Sequence, residues 1–402
     1  MGKKQGGGRR MRHEDDDDDE VGSIASVGTR GTYMSNDREL YDGYSKKLDD
    51  QQEVDEAIDE LTEKRTTTRF AAMEKLTTYL LQYLAPEDVK ESFIDNVLGC
   101  LRKPSEDEAV LGSRILAILA IIFGDDEERF FQRSKAVLNP LIKTAKTARV
   151  KVATIRALAL ICFVSSVEEE DAEELLELLE RFFNPKISGD ICKAALDSWG
   201  LVVSSLSDEI LASDELLERL VPKFLVLLEH KDVEVRSAAG ENAAFLYECA
   251  QCCGVSLPYG EEIVGRFLEM SKNNSKRNSK KDCKTQRLVF RDIHSTLATG
   301  ETPHVSFTVK GEVLEISSWR SVKQFEAVKD CLQTGLQEHI KCNNALRAML
   351  DLPETLEDSK ADRSDIFDKK SASRKQRSNE LKGDRKRKQH TQDAFYDDDS
   401  HK

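Results

Sequence analysis

The chain has 402 residues, enough for one elongated repeat domain or for two or three compact domains. Hydrophobic residues make up 39% and charged residues 33%, and the longest apolar run, Ile115 to Phe123, is too short to span a bilayer, so we expect no membrane protein. The net charge of −14 would argue against nucleic acid, yet the charge is segregated along the chain and basic residues crowd into two windows.

The first 48 residues combine glycines, a short basic patch and an acidic run from Glu14 to Glu20. They contain too little apolar material to offset the entropy of ordering, so residues 1–48 are predicted to be disordered. No apolar segment typical of a secretory signal occurs there. The acidic run is interpreted as a solubilising tail, and the alternatives are a mimic of nucleic-acid charge or a self-inhibitory partner for the basic windows.

Residues 49–270 repeat a helical pattern with a period of about 40 to 44 residues. In each unit small residues come early, bulky apolar residues follow at helical spacing, and a second amphipathic segment adjoins. The comparable segments begin near Thr66, Glu106, Ala148, Ser188 and Asp232. A helix pair of this length cannot bury its apolar face alone, so it must stack on its neighbours.

This pattern predicts an all-α, HEAT/armadillo-like helical solenoid with a small β-hairpin near its carboxyl end and disordered charged tails. The alternative is an irregular helical bundle, which gives no reason for the sequence to repeat at this period. The prolines support the solenoid, because they are predicted at or near helix starts and connections. These prolines are Pro86, Pro104, Pro140, Pro185 and Pro222.

The region from 271 to 352 departs from the repeat and opens with the polar, basic run SKNNSKRNSKKDCKTQR. Between Lys272 and Arg291 there are eight Lys or Arg residues and one Asp. We predict a solvated loop, or a helix that forms on a partner, projecting from one edge of the solenoid. Such cations suit phosphate binding, because each neutralised phosphate releases counterions; a merely soluble loop is the alternative. The candidate phosphate-binding residues are Lys276, Arg277, Lys280, Lys281, Lys284, Arg287 and Arg291.

The same region contains the alternating stretch VSFTVKGEVLEI, which predicts a β-hairpin with its turn at 310–311. A two-stranded hairpin is marginal alone, so its apolar face must lie on neighbouring helices. That face consists of Val305, Phe307, Leu314 and Ile316. Trp319 is predicted to anchor the hairpin, and a long helix over about 321–340 and a short one over 343–350 are predicted to close the ordered body.

Beyond residue 352 the chain is polar again, and residues 353–402 are predicted to be a disordered basic tail with an acidic end. From Lys369 to Lys388 there are ten Lys or Arg residues and two acidic ones. Such a tail acts as a nuclear localisation signal, as an arm for nucleic acid, or as both, and composition does not separate these roles. The candidate nucleic-acid-binding residues in the tail are Arg374, Lys375, Arg377, Arg385, Lys386, Arg387 and Lys388.

The sequence contains no P-loop, dinucleotide-binding or zinc-protease signature, so we expect no enzyme, no cofactor and no small-molecule substrate. Nine scattered cysteines, an odd number, fit reduced thiols in the cytosol or nucleus. Three are predicted to fill the core: Cys100, Cys162 and Cys192. The C-x-x-C-C run from Cys249 to Cys253 has no second ligand pair at zinc-finger spacing, so no metal site is expected.

Several segments in order resemble a known family. They are VRSAAGENAAFLYE, KTQRLVFRDIHSTL, a hairpin closing in EISSW, and FEAVKDCLQTGLQEHIKCNNALRAMLDL. Over about residues 230–352 the chain resembles the interferon-related developmental regulators, and the preceding repeats agree in character. The resemblance implies a HEAT/armadillo-like protein that is not an enzyme. It supports the basic run from Lys276 to Arg287 and the following Arg291 as functional residues.

The resemblance also implies partners. Members of the family are regarded as proteins that bind translationally inactive ribosomes at the tRNA exit region, with a carboxyl-terminal helix in the mRNA channel. They are also regarded as transcriptional co-regulators that act through deacetylase co-repressor complexes. The tail from Lys369 to Lys388 matches the family in position and charge only, and its Gly383 and dispersed serines weaken the case for a continuous inserted helix.

We therefore expect a regulator that binds ribosomes or rRNA and represses translation by steric occupation. The alternative is a nuclear scaffold that uses the concave surface of the solenoid to join transcription factors to a co-repressor complex. The expected location is cytoplasmic, nuclear or both.

Overall fold

The computed structural model describes residues 51–124, 128–165, 169–272, 280–309 and 312–353. Within these ranges an outer helix is followed by an inner helix in each repeat. The outer helices are α1 (Gln51–Glu60), α3 (Glu91–Cys100), α5 (Glu128–Thr144), α7 (Glu169–Glu180), α10 (Asp214–Leu228) and α12 (Gly260–Lys272). The inner helices are α2 (Thr66–Leu80), α4 (Glu106–Phe123), α6 (Ala148–Val164), α8 (Gly189–Val203), α11 (Val233–Cys252) and α13 (Lys280–Thr299). A short helix, α9 (Asp208–Leu211), lies between α8 and α10.

Each inner helix packs on the inner helix of the next repeat, from α2 through α4, α6, α8 and α11 to α13. The outer helices contact one another much less, so they form the wider, outer layer of a helical solenoid. Five inner helices begin within one residue of the predicted repeat starts: Thr66, Glu106, Ala148, Gly189 and Val233. The predicted all-α solenoid is therefore confirmed. Pro140 and Pro222 correct one detail, because they lie inside α5 and α10 rather than at helix starts.

Buried polar contacts fix one repeat against the next. Ser105 caps α4 by accepting from the Glu108 backbone N–H, and the Glu108 carboxylate accepts from the Ser105 N–H at 2.8 Å. The same carboxylate accepts from Arg69 Nε on α2 at 2.7 Å. Three repeats further on, Asn242 Nδ2 donates to the Leu196 carbonyl oxygen at 2.9 Å. These bonds satisfy interior polar groups and set the register between neighbouring helix pairs.

Part of the region predicted as a solvated loop, or as a helix that forms on a partner, is helical in the free chain. The described part of helix α13 starts at Lys280 and includes residues 280–287. The helix is anchored from Gln286 onward, where a buried row at helical spacing faces α11 and α12. That anchored part supports the extra amino-terminal turns, because extending an existing helix avoids the cost of nucleating one.

The hairpin is present with the predicted register. Strand β1 (Val305–Val309) pairs antiparallel with β2 (Glu312–Ile316), and Val309 lies opposite Glu312. Ile316 is buried, and β1 contacts the helix Leu336–Cys342. The turn at 310–311 lies outside the described residues.

After the hairpin the chain returns along the inner layer. Helix α14 (Trp319–Leu332) contacts α8, α11, α4 and α6, and it is followed by α15 (Leu336–Cys342) and α16 (Asn344–Met349), which packs on α4. A 3-10 turn over Gln333–Gly335 separates α14 from α15, so the single long helix predicted over 321–340 is interrupted. The carboxyl-terminal helices thus cover much of the inner surface along its length.

Side chains of this returning segment bind carbonyl groups at the carboxyl ends of inner helices. Such carbonyls have no partner within their own helix. His339 Nε2 bonds to the Leu80 oxygen at 2.8 Å, and Asn343 Nδ2 donates to the Ile121 oxygen at 2.8 Å. Arg320 donates to the oxygens of Ser204 and Leu206 beyond the end of α8. The segment is therefore held by specific hydrogen bonds as well as by apolar packing.

The buried His339 makes the stability of the fold depend on pH. Burial lowers its pKa to about 4, outweighing the hydrogen bond to Leu80, whereas a histidine in an unfolded chain titrates near 6.5. Because the folded-state pKa is depressed, the unfolded chain binds the extra proton between these values. This contribution to stability is complete above about pH 6.5 and is lost as pH falls toward 4. We expect a loss of roughly 2.5 kcal/mol between pH 7.5 and 4.5 from this residue.

Urea unfolding at both pH values measures this dependence, with His339→Gln as the comparison. Glutamine keeps an amide donor for the Leu80 carbonyl and does not titrate. The wild-type protein should lose more stability than the variant on acidification, since carboxylates common to both chains contribute equally. Equal losses in the two proteins would show that His339 does not control this dependence.

Burial also explains the chemistry of the cysteines. Cys100, Cys162 and Cys192 are buried free thiols, as predicted for core-filling residues. Burial raises the pKa of Cys162 to about 12 and that of Cys192 to about 11, which keeps both protonated and unreactive at neutral pH. In the described part of the chain, no helix is both long and apolar enough to cross a bilayer.

Candidate nucleic-acid interface

Helix α13 is fixed to the solenoid by one buried face. Phe290 packs against Phe267 of α12, with ring centroids 5.6 Å apart. Gly240 of α11 lets it approach closely, because a Cβ at that glycine would stand 2.8 Å from Phe290 Cε1. Arg236 Nη2 donates to Gln286 Oε1 at 2.6 Å. The glycine in the segment VRSAAGENAAFLYE thus has a packing role, and α13 is held in a defined orientation.

The basic positions of α13 share a different face. Positions 280, 284, 287 and 291 follow one another at helical spacing, so they lie on one face over three turns, about 16 Å along the axis. Arg291 is exposed and Arg287 is half-buried. Four of the seven residues predicted in this window are therefore aligned by the helix, which a loop would not do.

The amino-terminal end of α13 is electrostatically unusual. Lys280 and Lys281 are the first described residues of α13. Two lysines toward the amino-terminal side of a helix add to the positive potential of the helix dipole, which suits phosphate.

The other predicted residues either lie off the aligned row or fall outside the described residues. Lys281 is in α13 but lies about 100° around the helix from the aligned row. Lys276 and Arg277 lie outside the described residues. So do the seven tail residues Arg374, Lys375, Arg377, Arg385, Lys386, Arg387 and Lys388. Their assignment to nucleic-acid binding stays a prediction.

A groove of about 1020 Å³ runs beside α14 and is lined by residues of α4, α6, α8 and α11, with Val289 of α13. Its charges are mixed and paired: Lys193 Nζ lies 2.7 Å from Asp197 Oδ2, and Arg156 Nη1 lies 3.4 Å from Asp330 Oδ2. The Asp197 carboxylate holds the pKa of Lys193 above its ordinary value. Among the described residues no cluster of His, Cys, Asp and Glu side chains fits a metal ion.

Sequence reasoning missed the residues that cover the inner surface. His339 and Asn343 were read only as members of a terminal helix pair and Arg320 was assigned no role, yet all three attach this segment to repeats more than one hundred residues earlier. A signal was present in FEAVKDCLQTGLQEHIKCNNALRAMLDL, whose charged and amide residues are mixed with apolar ones on every side. Such mixing is typical of a helix that contacts other helices on more than one face.

The fold and the basic face of α13 define the class: a HEAT/armadillo-like repeat protein with a cationic candidate interface. Residues 26–298 match the family model described as Interferon-related developmental regulator (IFRD), which covers more than half of the chain. The chain therefore belongs to the interferon-related developmental regulator family. The matched range includes the solenoid repeats and most of α13.

Curated relatives agree with this assignment. Interferon-related developmental regulator 2 of Mus musculus is 26% identical over 336 residues, covering 78% of this chain and 76% of its own length. Interferon-related developmental regulator 1 of Sus scrofa is 27% identical over 316 residues, covering 73% and 70%. A crystal structure of an engineered protein covers 60% of this chain and 97% of its own at 17% identity, and its TM-score of 0.39 is too low to support an argument.

Proposed function

We propose that this protein is a non-enzymatic regulator that binds the ribosome through rRNA and represses translation by occupying inactive ribosomes. The observation that carries the proposal is the row of basic positions 280, 284, 287 and 291 on α13. These positions belong to a helix packed on α11 and α12, so the basic positions keep a fixed spacing along a phosphate backbone. Membership in a family named for regulators supports a binding role over a catalytic one.

If binding is electrostatic, the affinity for ribosomes depends measurably on salt concentration. Each cation that neutralises a phosphate releases condensed counterions, so binding weakens steeply as salt rises. Replacing Lys280, Lys281 and Lys284 by glutamine should lower the slope of log affinity against log salt by about 2 to 3. The folded state should not suffer, because lysines at a helix amino terminus oppose the dipole and glutamine has a similar helix propensity.

Sedimentation of the full chain with purified ribosomes in sucrose gradients, at salt between about 50 and 200 mM, measures this slope. The matched control replaces three exposed cations away from α13 by glutamine, for the same change in net charge: Lys75 of α2, Lys90 before α3 and Arg129 of α5. We expect the control to behave like wild type. A triple α13 variant with the wild-type slope and affinity would contradict the proposal.

One observation favours a second candidate, a nuclear scaffold that joins transcription factors to a deacetylase co-repressor complex. The groove beside α14 has the size and mixed charge of a site for a peptide segment. The bare concave surface assumed for this role is not available, because α14 covers it across four repeats. Crosslinking in cells separates the candidates: ribosomal proteins should be recovered if the first is correct, and co-repressor subunits without ribosomal proteins if the second is.

A further inference from the structure

The solenoid has two edges, and each edge carries one kind of connection between helices. Among the described residues, the connections from an outer helix to its inner helix lie at one edge, and those from an inner helix to the next outer helix lie at the other. The described connections at the first edge are 61–65, 101–105, 145–147, 181–188 and 229–232. We call this the outer-to-inner edge.

The outer-to-inner edge carries an exposed cation in each of its described connections. These residues are Lys64, Arg65, Arg102, Lys103, Lys146, Arg181, Lys186 and Lys231. The series recurs at the repeat period and leads toward Lys280 and Lys281 at the start of α13. The basic face of α13 is thus the end of a longer row and not an isolated patch.

The cations of this edge are not engaged in ion pairs. None of the eight lies within ion-pair distance of a described carboxylate, whereas cations of the outer layer pair with a neighbouring repeat. Lys135 reaches Asp171 at 2.7 Å, and Lys223 reaches Glu180 at 2.9 Å. The charge on the outer layer is therefore internally compensated, and the charge on the outer-to-inner edge is open to a partner.

Exposed acidic residues lie near this edge, namely Glu63, Glu106, Asp190 and Glu234. Several other carboxylates there are engaged within the protein. Glu108 pairs with Arg69 at 2.7 Å, and Glu229 pairs with Arg266 at 2.9 Å. Asp232 accepts the Glu234 backbone N–H as the cap of α11. These contacts reduce the repulsion that the carboxylates would exert on an approaching anion.

At the opposite edge, the described exposed charged side chains are mostly acidic, although Lys90 and Arg129 are exposed there too. None of the inner helices has a basic residue in its last turn. The connections and first turns of outer helices there present exposed acidic residues. These are Asp88, Glu170, Glu209, Asp214, Glu215, Glu261 and Glu262. A body with one cationic and one anionic edge is oriented in the field of a polyanion, with the cationic edge inward.

We propose that the outer-to-inner edge is a track for the phosphate backbone of folded RNA, running along the repeats into the basic face of α13. The inference rests on the proposed function and deepens it by assigning the surface that lies against the RNA. Neighbouring packed helices are about 8 to 10 Å apart, so the row extends over roughly 50 Å. That length spans many phosphates, compared with the few within reach of α13 alone.

The chemistry of the edge favours a nucleic acid over an acidic protein. The core of a protein interface needs buried aromatic or aliphatic anchors. The large apolar residues exposed in the described structure are Ile210, Val226, Tyr259 and Leu268, and none lies in these connections. Separated cations without apolar anchors are what binding to a sugar-phosphate backbone requires.

The test neutralises the middle of the edge and leaves α13 intact. The edge variant combines Arg102→Gln, Lys103→Gln, Lys146→Gln and Lys186→Gln. The matched control combines Lys75→Gln, Lys90→Gln, Arg129→Gln and Arg219→Gln, which removes the same charge from positions outside the outer-to-inner edge. Full-length proteins are titrated against a 30-base-pair RNA duplex and, separately, against purified ribosomes, at several salt concentrations.

We expect the edge variant to bind the duplex at least tenfold more weakly than wild type near 0.15 M salt, with a salt slope lower by about 3. The control should keep the wild-type slope. A wild-type slope in the edge variant, or no binding of the duplex by the wild-type protein, overturns the edge assignment. Failure of the wild-type protein to bind ribosomes, while the duplex result holds, would instead contradict the proposed function.

Discussion

Replacing Lys323 by methionine is expected to lower the free energy of unfolding by about 3 to 5 kcal/mol. Lys323 of α14 meets Glu241 of α11 with its Nζ 3.0 Å from Oε2, and their side chains are 3% and 9% exposed. The methionine variant keeps the length of the side chain but removes the ammonium group facing a buried carboxylate. Removing the nearest partner of a buried carboxylate costs far more than the ion pair itself contributes.

Urea denaturation of three variants tests this account. Lys329→Met, on the same helix but partly exposed, is the matched control and should cost well under 1 kcal/mol. Combining Lys323→Met with Glu241→Gln should recover most of the loss, because the buried carboxylate charge is then gone. If the double variant were as unstable as Lys323→Met alone, packing of the lysine stem against Gly200 would be the cause instead of charge.

The solenoid was predictable because its signal is repeated. Small residues early in each unit and apolar residues later recur at one period, and this fixed the inner helix starts to within a residue. The hairpin was predictable for a similar reason, since strict alternation around 310–311 determines its register. Patterns of this kind depend only on residues close in sequence, and the helix starts and hairpin register that they predict agree with the structure.

The return of α14 to α16 along the inner layer was not predictable in this way. It depends on contacts between residues far apart, such as Arg114 Nε with the Cys331 oxygen at 2.8 Å. The sequence pattern of α14 does not predict which repeats the helix will contact. The helix over 280–287 was predicted only as an alternative that forms on a partner, because Lys, Asn and Ser in sequence resemble a loop and the helix is supported by packing further along.

The candidate interface was predicted in composition but not in arrangement. The basic window was visible as a charge excess, and the structure adds that positions 280, 284, 287 and 291 share one helix face. The cations of the outer-to-inner edge were overlooked, because each connection holds only one or two of them. They form a row only when the fold brings successive connections to the same edge.

Replacing Trp319 by alanine is expected to cost about 3 to 5 kcal/mol and to loosen the helix that carries the candidate interface. The indole is fully buried where α14 meets α11 and α13. Its Nε1 donates to Thr296 Oγ1 of α13 at 3.1 Å, and its backbone N–H donates to Glu248 Oε2 of α11 at 2.9 Å. Truncation leaves a cavity that the surrounding helices close only in part.

Two further variants separate packing from hydrogen bonding at this position. Trp319→Phe keeps most of the ring volume but loses the N–H, and Thr296→Val removes the accepting hydroxyl; each should cost less than Trp319→Ala. Amide hydrogen exchange should accelerate from residue 286 to 299 in Trp319→Ala more than in α6, because α13 loses its contact with α14. Uniform acceleration across the solenoid would mean that Trp319 stabilises the whole fold without particular support for α13.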